Sequence, residues 1–142
     1  MPSSLDVSAS GMVAQRLRMD SIANNLANLS TTRDAQGRPN PYVRERVVFQ
    51  VGMPDQKSKL GVHVAKVERD DPAVYPGAEP FRLRFEPGHP DANAQGYVQL
   101  PNVDPIREFV NSLEAARAYE ANIQAFEVAK NMAVQKIGRA HV

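Results

Sequence analysis

The stretch Asp91-Ala92-Asn93-Ala94-Gln95-Gly96 carries the oxygen donors and the glycine with which a calcium-binding loop begins. Such a loop closes on a bidentate Glu, and the corresponding position here is Asn102. Its flanks read as strand and loop rather than helix, so a turn between strands is expected. His63, His89 and His141 lack the spacing of metal ligands. Asp70-Asp71 before Pro72 reads as a solvated turn, weak ground for acid–base chemistry. The chain has no cysteine, which excludes thiolate zinc sites, disulfides and a cysteine nucleophile together. No nucleophile elbow, phosphate loop or dinucleotide fingerprint occurs. No catalytic, metal or cofactor-binding residue is assigned, and no cofactor is expected.

Amides are the remaining polar signal. Ser21, Asn24, Asn25 and Asn28 fall within a short stretch of apparent helix, where Asn is disfavoured because its side chain competes for backbone hydrogen bonds. Two readings stand. Asn24, Asn25 and Asn28, with Asn122 further on, bond across to neighbouring helices and fix their register, or they form a solvated polar face. Asn111 invites the same pair of readings. Tyr119, beside Asn122, reads as a packing residue whose hydroxyl needs a partner.

The elements that hold these amides are long. Leu5, Met12, Met19 and Leu26 recur every seventh residue, with Ile22 and Leu29 on a second line, which predicts a helix over about Leu5–Leu29. Ser3 or Ser4 would cap it, and Gly11 costs it about 1 kcal/mol relative to Ala. A second helix is predicted from near Asn102. Phe109, Ala116, Ile123 and Ile137 mark one line, which Lys130 interrupts, and Tyr119, Phe126 and Ala133 mark its partner line. Asp104 before Pro105 would cap this helix, or Asn102 would serve.

All but Pro2 and Pro105 of the eleven prolines, and all but Gly11 and Gly138 of the eight glycines, lie between these helices. There, Tyr42–Val51, Leu60–Val67 and Phe81–Phe85 alternate as short strands, set off by turns such as Gly52-Met53-Pro54-Asp55. The expected fold is α+β: two long terminal helices packing as an antiparallel coiled-coil-like pair, with a small β-rich middle domain. Residues 1–32 and 102–137 would form the helical domain, 33–101 the middle domain, and 138–142 a tail. The last six residues match the translation of a common sequencing-adapter run, so no function is read into His141.

With 17 Lys and Arg against 16 Asp and Glu, the chain lacks the basic face that nucleic acid requires. It also lacks an apolar run of membrane-spanning length or a signal-peptide pattern, so neither nucleic acid nor direct membrane insertion is expected. Regular, apolar-striped ends are unusual and call for partners to pack against. Assembly is therefore the leading function class, ahead of a small coiled-coil adaptor and of an enzyme.

Ile22-Ala23-Asn24-Asn25-Leu26-Ala27-Asn28 resembles the N-terminal signature of the flagellar axial family, the bacterial rod, hook and hook-associated proteins. The signature usually runs on to a Gly-Tyr pair, whereas this chain continues Leu29-Ser30-Thr31-Thr32-Arg33. A second block resembles the proximal-rod branch: Glu86-Pro87-Gly88-His89-Pro90, Gly96-Tyr97-Val98 and Pro101-Asn102-Val103-Asp104. Val47-Val48-Phe49-Gln50 and Ala116-Arg117-Ala118-Tyr119-Glu120-Ala121-Asn122 are similar to that branch too.

The resemblance implies a structural subunit of the flagellar basal-body rod, a periplasmic shaft that transmits torque from motor to hook. It implies export through the flagellar type III apparatus without a cleaved signal. Its implied partners are copies of itself, other rod proteins and the export-gate and base components; a sister proximal-rod protein is the alternative identity within the family. Subunit packing would fall to Leu5, Met12, Met19, Ile22, Leu26 and Leu29, and to Phe109, Leu113, Ala116, Tyr119, Ile123, Phe126 and Ala133.

Overall fold

A computed structural model of the chain describes residues 3–54 and 59–140. The readings made at Asp55, His141 and Val142, and the first two residues of the N-terminal segment, lie outside the described residues. The fold is α+β, in the order α1 (Ser4–Ala27), β1 (Glu45–Val51), β2 (Val62–Arg69), β3 (Arg82–Phe85), β4 (Tyr97–Leu100) and α2 (Pro105–Ala140). β1 pairs with β2 and β3 with β4, giving two two-stranded sheets.

Local chemistry sets the helix limits. Ser3 caps α1 reciprocally: its Oγ accepts the Asp6 N–H at 3.2 Å, and its own N–H donates to the Asp6 carboxylate at 3.0 Å. These bonds from Ser3 hold the Asp6 carboxyl below the usual carboxylate range. At the other end, Asn28 Nδ2 donates to the Asn24 carbonyl at 2.8 Å, taking one of the acceptors a helix terminus leaves open. α2 is capped by Asp104, whose Oδ1 accepts the N–H of Ile106 at 3.0 Å, with Pro105 as the first helical residue.

The chain forms two compact units. The first comprises Met1–Asp20, Val47–Lys66 and Ser112–Val142. Within it the helices run antiparallel, with Arg18 paired to Glu114 at 3.1 Å and Gly11 facing Asn122. A Cβ on Gly11 would stand 2.6 Å from Asn122 Oδ1, so the glycine permits a close approach that offsets its poor helix propensity. The β1–β2 hairpin is tied to α1 by Ser10, whose hydroxyl accepts the Val62 N–H at 3.2 Å.

The second unit comprises Ser21–Arg46 and Val67–Asn111. Its β3–β4 ribbon is antiparallel, pairing Arg82 with Leu100, Leu83 with Gln99, Arg84 with Val98 and Phe85 with Tyr97. Val98, Leu100 and Val103 are buried and form its apolar centre with Val43 and Ile22. Gly96 turns the chain into β4 with φ at 87°, and a Cβ there would meet the Phe85 ring at 2.9 Å.

Two local expectations change. The first strand begins at Glu45 rather than Tyr42, because side chains claim the backbone before it. The Arg44 N–H donates to Asn102 Oδ1 and the Glu45 N–H to Asn25 Oδ1. In β3 the alternation is reversed with respect to the interior. Leu83 and Phe85 face solvent while Arg82 turns inward, donating to the carbonyls of Pro101 at 3.1 Å and Leu29 at 3.0 Å.

Candidate functional site

The second unit holds a junction built from polar side chains. Glu108, in the first turns of α2, is fully buried. One carboxylate oxygen accepts the Arg44 Nε–H and the other accepts Asn25 Nδ2–H at 3.4 Å. The Arg44 guanidinium also reaches Asp70, just beyond β2, at 3.4 Å. One buried carboxylate therefore binds α1 through Asn25 and the approach to β1 through Arg44. Buried charge is tolerated only when paired in this way.

Asn25 is the centre of that junction. Its amide accepts the Glu45 N–H at 2.9 Å and donates to the Glu45 carbonyl at 2.8 Å. A primary amide offers the same donor and acceptor as a peptide group, so Asn25 takes the place of a neighbouring strand for Glu45. Tyr42 donates its hydroxyl to Asn25 Oδ1 at 2.8 Å. Burial pushes the Tyr42 pKa up to about 12, with the negative charges of Glu45 and Glu108 adding to the shift. Asn102 is equally engaged, donating to the carbonyls of Asp70 at 2.7 Å and Glu79 at 3.0 Å.

The other amides are placed differently. Asn24 is exposed and donates to Tyr42 Oη and to the Glu45 carboxylate. Asn28 closes the end of α1 and accepts the Thr31 hydroxyl at 3.0 Å. In the first unit, Asn122 donates back to the Ala118 carbonyl at 2.9 Å while its side chain fills the space opposite Gly11. After α1, Thr32 and Arg33 both bond Asp91, whose carboxyl is held below the usual range chiefly by Arg33 and then by Thr32. Asp91 and Asn93, which opened the calcium-like motif, thus serve an ion pair and a turn: Asn93 Oδ1 accepts the N–H groups of Gln95 and Tyr97. His63 Nδ1 lies 2.7 Å from the Gly52 carbonyl, and His89 Nδ1 accepts the Asp91 N–H.

The helix faces separate two kinds of contact. In the first unit, α2 meets α1 with small or polar residues, Ala115 and Asn122, and α1 answers with Gly11, Ala14 and Ser8. The expected packing line sits beside this contact, about one residue round α2. Leu113 is 45% exposed, Ile123 38%, and Ala116, Tyr119, Phe126 and Ala133 are half-buried. In the second unit Phe109 is 58% exposed. On α1, Leu5, Met12, Met19, Leu26 and Leu29 are half-buried, Ile22 is buried, and Val13 and Leu17 are exposed. A groove of about 650 Å³ in the first unit runs between Leu5 and Ser8 on one side and Ala121, Ala125, Val128 and Met132 on the other.

Sequence reasoning assigned no role to Glu108 or to Arg44, which falls within the stretch read as the first strand. The available signal was a charged residue one position before the apolar line, repeating with Ala115 and Asn122 every seventh residue. Among the motif residues, Gly96, Val98, Pro101, Asn102 and Val103 are buried and Tyr97 is exposed. Asp104 is the helix cap, and Glu86, Pro87, Gly88 and Pro90 form the turn after β3.

The comparisons with known proteins agree at both ends of the chain. The family described as "Flagella basal body rod protein" matches residues 5–33, and the one described as "Flagellar basal body rod FlgEFG protein C-terminal" matches residues 94–135. The chain is 41% identical to the flagellar basal-body rod protein FlgC of Bacillus subtilis (strain 168), with 94% of each chain covered. Against the protein of the same name from Borreliella burgdorferi identity is 39%, covering 92% of this chain and 91% of that one. Against that of Salmonella typhimurium it is 37%, covering 93% and 92%. With matched helical ends, a β-rich middle and near full-length similarity, the chain belongs to the FlgC family, structural rod subunits of the flagellar basal body.

Proposed function

We propose that this subunit polymerises through α1 and α2 into the periplasmic part of the rod that transmits torque from motor to hook. Its role is mechanical rather than enzymatic. Its partners are further copies, other rod proteins and the export-gate and base components beneath them, and it reaches them through the flagellar type III apparatus. In this reading residues 1–32 and 102–137 are the rod-core part and residues 33–101 the middle domain.

One observation carries the proposal. The large apolar side chains of α2 lie beside its contact with α1 rather than in it, so Leu113 and Ile123 keep much of their surface in water. Apolar surface in that arrangement is the usual mark of a protein contact. Leu5, Met12, Met19, Ile22, Leu26, Leu29, Phe109, Leu113, Ala116, Tyr119, Ile123, Phe126 and Ala133 are the packing set. Asn24, Asn25, Asn28 and Asn122 are the polar groups that hold register. Asn25 reaches Glu108 of α2, Asn24 and Asn28 steady the end of α1, and Asn122 sits opposite Gly11.

Ile123→Asp tests this. The free subunit should lose no more than about 1–2 kcal/mol of stability and stay folded, because the site is partly exposed. Purified basal bodies should contain at least tenfold less of the variant, and swimming should fail. Normal incorporation with normal motility would overturn the reading.

A further inference from the structure

The β3–β4 ribbon has two faces, and the chain covers one of them. Arg82, Arg84, Val98 and Leu100 share a face, because they pair across the strands, and Val98 and Leu100 are buried there. Leu83, Phe85, Tyr97 and Gln99 share the other. On it Leu83 is 63% exposed, Phe85 62% and Tyr97 41%. This face is ordered although it is open. The Phe85 and Tyr97 rings meet edge to face with centroids 5.3 Å apart, and the Phe85 ring lies over Gly96, where no Cβ would fit. Rigid aromatic groups of this kind lose little freedom when a partner covers them.

We propose that the outward face of this ribbon, carried by Leu83, Phe85 and Tyr97, packs against a second copy of the chain within the assembled rod. The proposal rests on the reading that the subunit polymerises. Area argues for a neighbour already held nearby. The open parts of the three side chains amount to roughly 300 Å², against about 800 Å² per partner in a stable interface. Such a patch does not hold a partner alone, but it adds to contacts that a polymer makes elsewhere. Charge argues for a like partner. Leu83, Phe85, Tyr97 and Gln99 carry no charge, so identical chains meet there without like-charge opposition.

The test places a photo-crosslinking amino acid at position 85 of the full-length chain in flagellated cells and sequences the cross-linked peptides from purified basal bodies. The expected product joins two copies of this chain, is absent from the dilute purified subunit, and falls at least fivefold when Leu83→Ser is added. Leu83→Ser should leave the melting temperature of the free subunit nearly unchanged, which separates loss of contact from loss of fold. A product with a different protein overturns the proposal. So does the labelled chain sitting in basal bodies with no chain-to-chain product. Absence of the chain from basal bodies overturns the rod reading itself, and this contact with it.

Discussion

The junction around Glu108 and the helix contact around Gly11 use opposite means to hold α1 near α2. At the junction every charged or amide group has a partner from the same chain: Glu108 has Arg44 and Asn25, Arg44 has Asp70, and Asn25 has Glu45 and Tyr42. Around Gly11 the helices meet through small side chains, with large apolar residues left beside them. The first arrangement is complete within one chain. The second gains little from burial and leaves its apolar surface for something else. A subunit built this way can have a defined local conformation at one place while reserving another for assembly.

The most severe way to break that contrast is Glu108→Ala. It leaves the Arg44 guanidinium with Asp70 alone and takes one of two acceptors from the Asn25 amide in a buried site, which should destabilise by about 3–5 kcal/mol. The melting temperature should fall by roughly 10 °C. Arg44→Met combined with Glu108→Leu removes both charges and should recover most of that loss, since a matched apolar pair replaces a buried ion pair at little cost. If the single and double variants melt alike, the pairing is not what holds the junction.

A smaller effect is expected at the close helix approach. Gly11→Val should destabilise by about 1–3 kcal/mol, because its side chain would enter space held by Asn122. Gly11→Ala with Asn122→Ala should instead equal or exceed the native stability. The pair clears the collision and gains about 1 kcal/mol of helix propensity. Thermal melts of the two variants decide this, and equal behaviour would mean that the glycine is not there for packing.

The smallest effect belongs to pH. The Tyr42 pKa is raised from 10.0 to about 12, so the folded state favours the neutral phenol. Its contribution is present in full below pH 10 and is lost as pH rises from 10 towards 12. Absorbance titration should show a tyrosine step near pH 12, and Tyr42→Phe should remove it.

The helices were legible because their periodicity and capping residues agree. Ser3, one of the two caps offered, and the Asp104-Pro105 pair mark the starts that the structure adopts. The strands were legible in type but not in orientation. Alternation says that Leu83 and Phe85 share a face without saying which face meets the interior, and here Arg82 takes the inner side because two open carbonyls await it. Glu108 and Arg44 were hidden for a related reason. A charged residue reads as solvated until its partner is known, and these partners lie far apart in sequence. Asn25 stood out only because helices disfavour asparagine. Its work for Glu45 follows from tertiary placement.

The amide of Asn25 also bears on chemical ageing. Hydrolysis to Asp would turn its donor nitrogen into an acceptor facing the Glu45 carbonyl at 2.8 Å and the Glu108 carboxylate at 3.4 Å. One such event would set like charges against each other in a buried site, and synthesis of a new subunit is the direct remedy. The durability of a rod subunit would then depend on how slowly one side-chain amide takes up water.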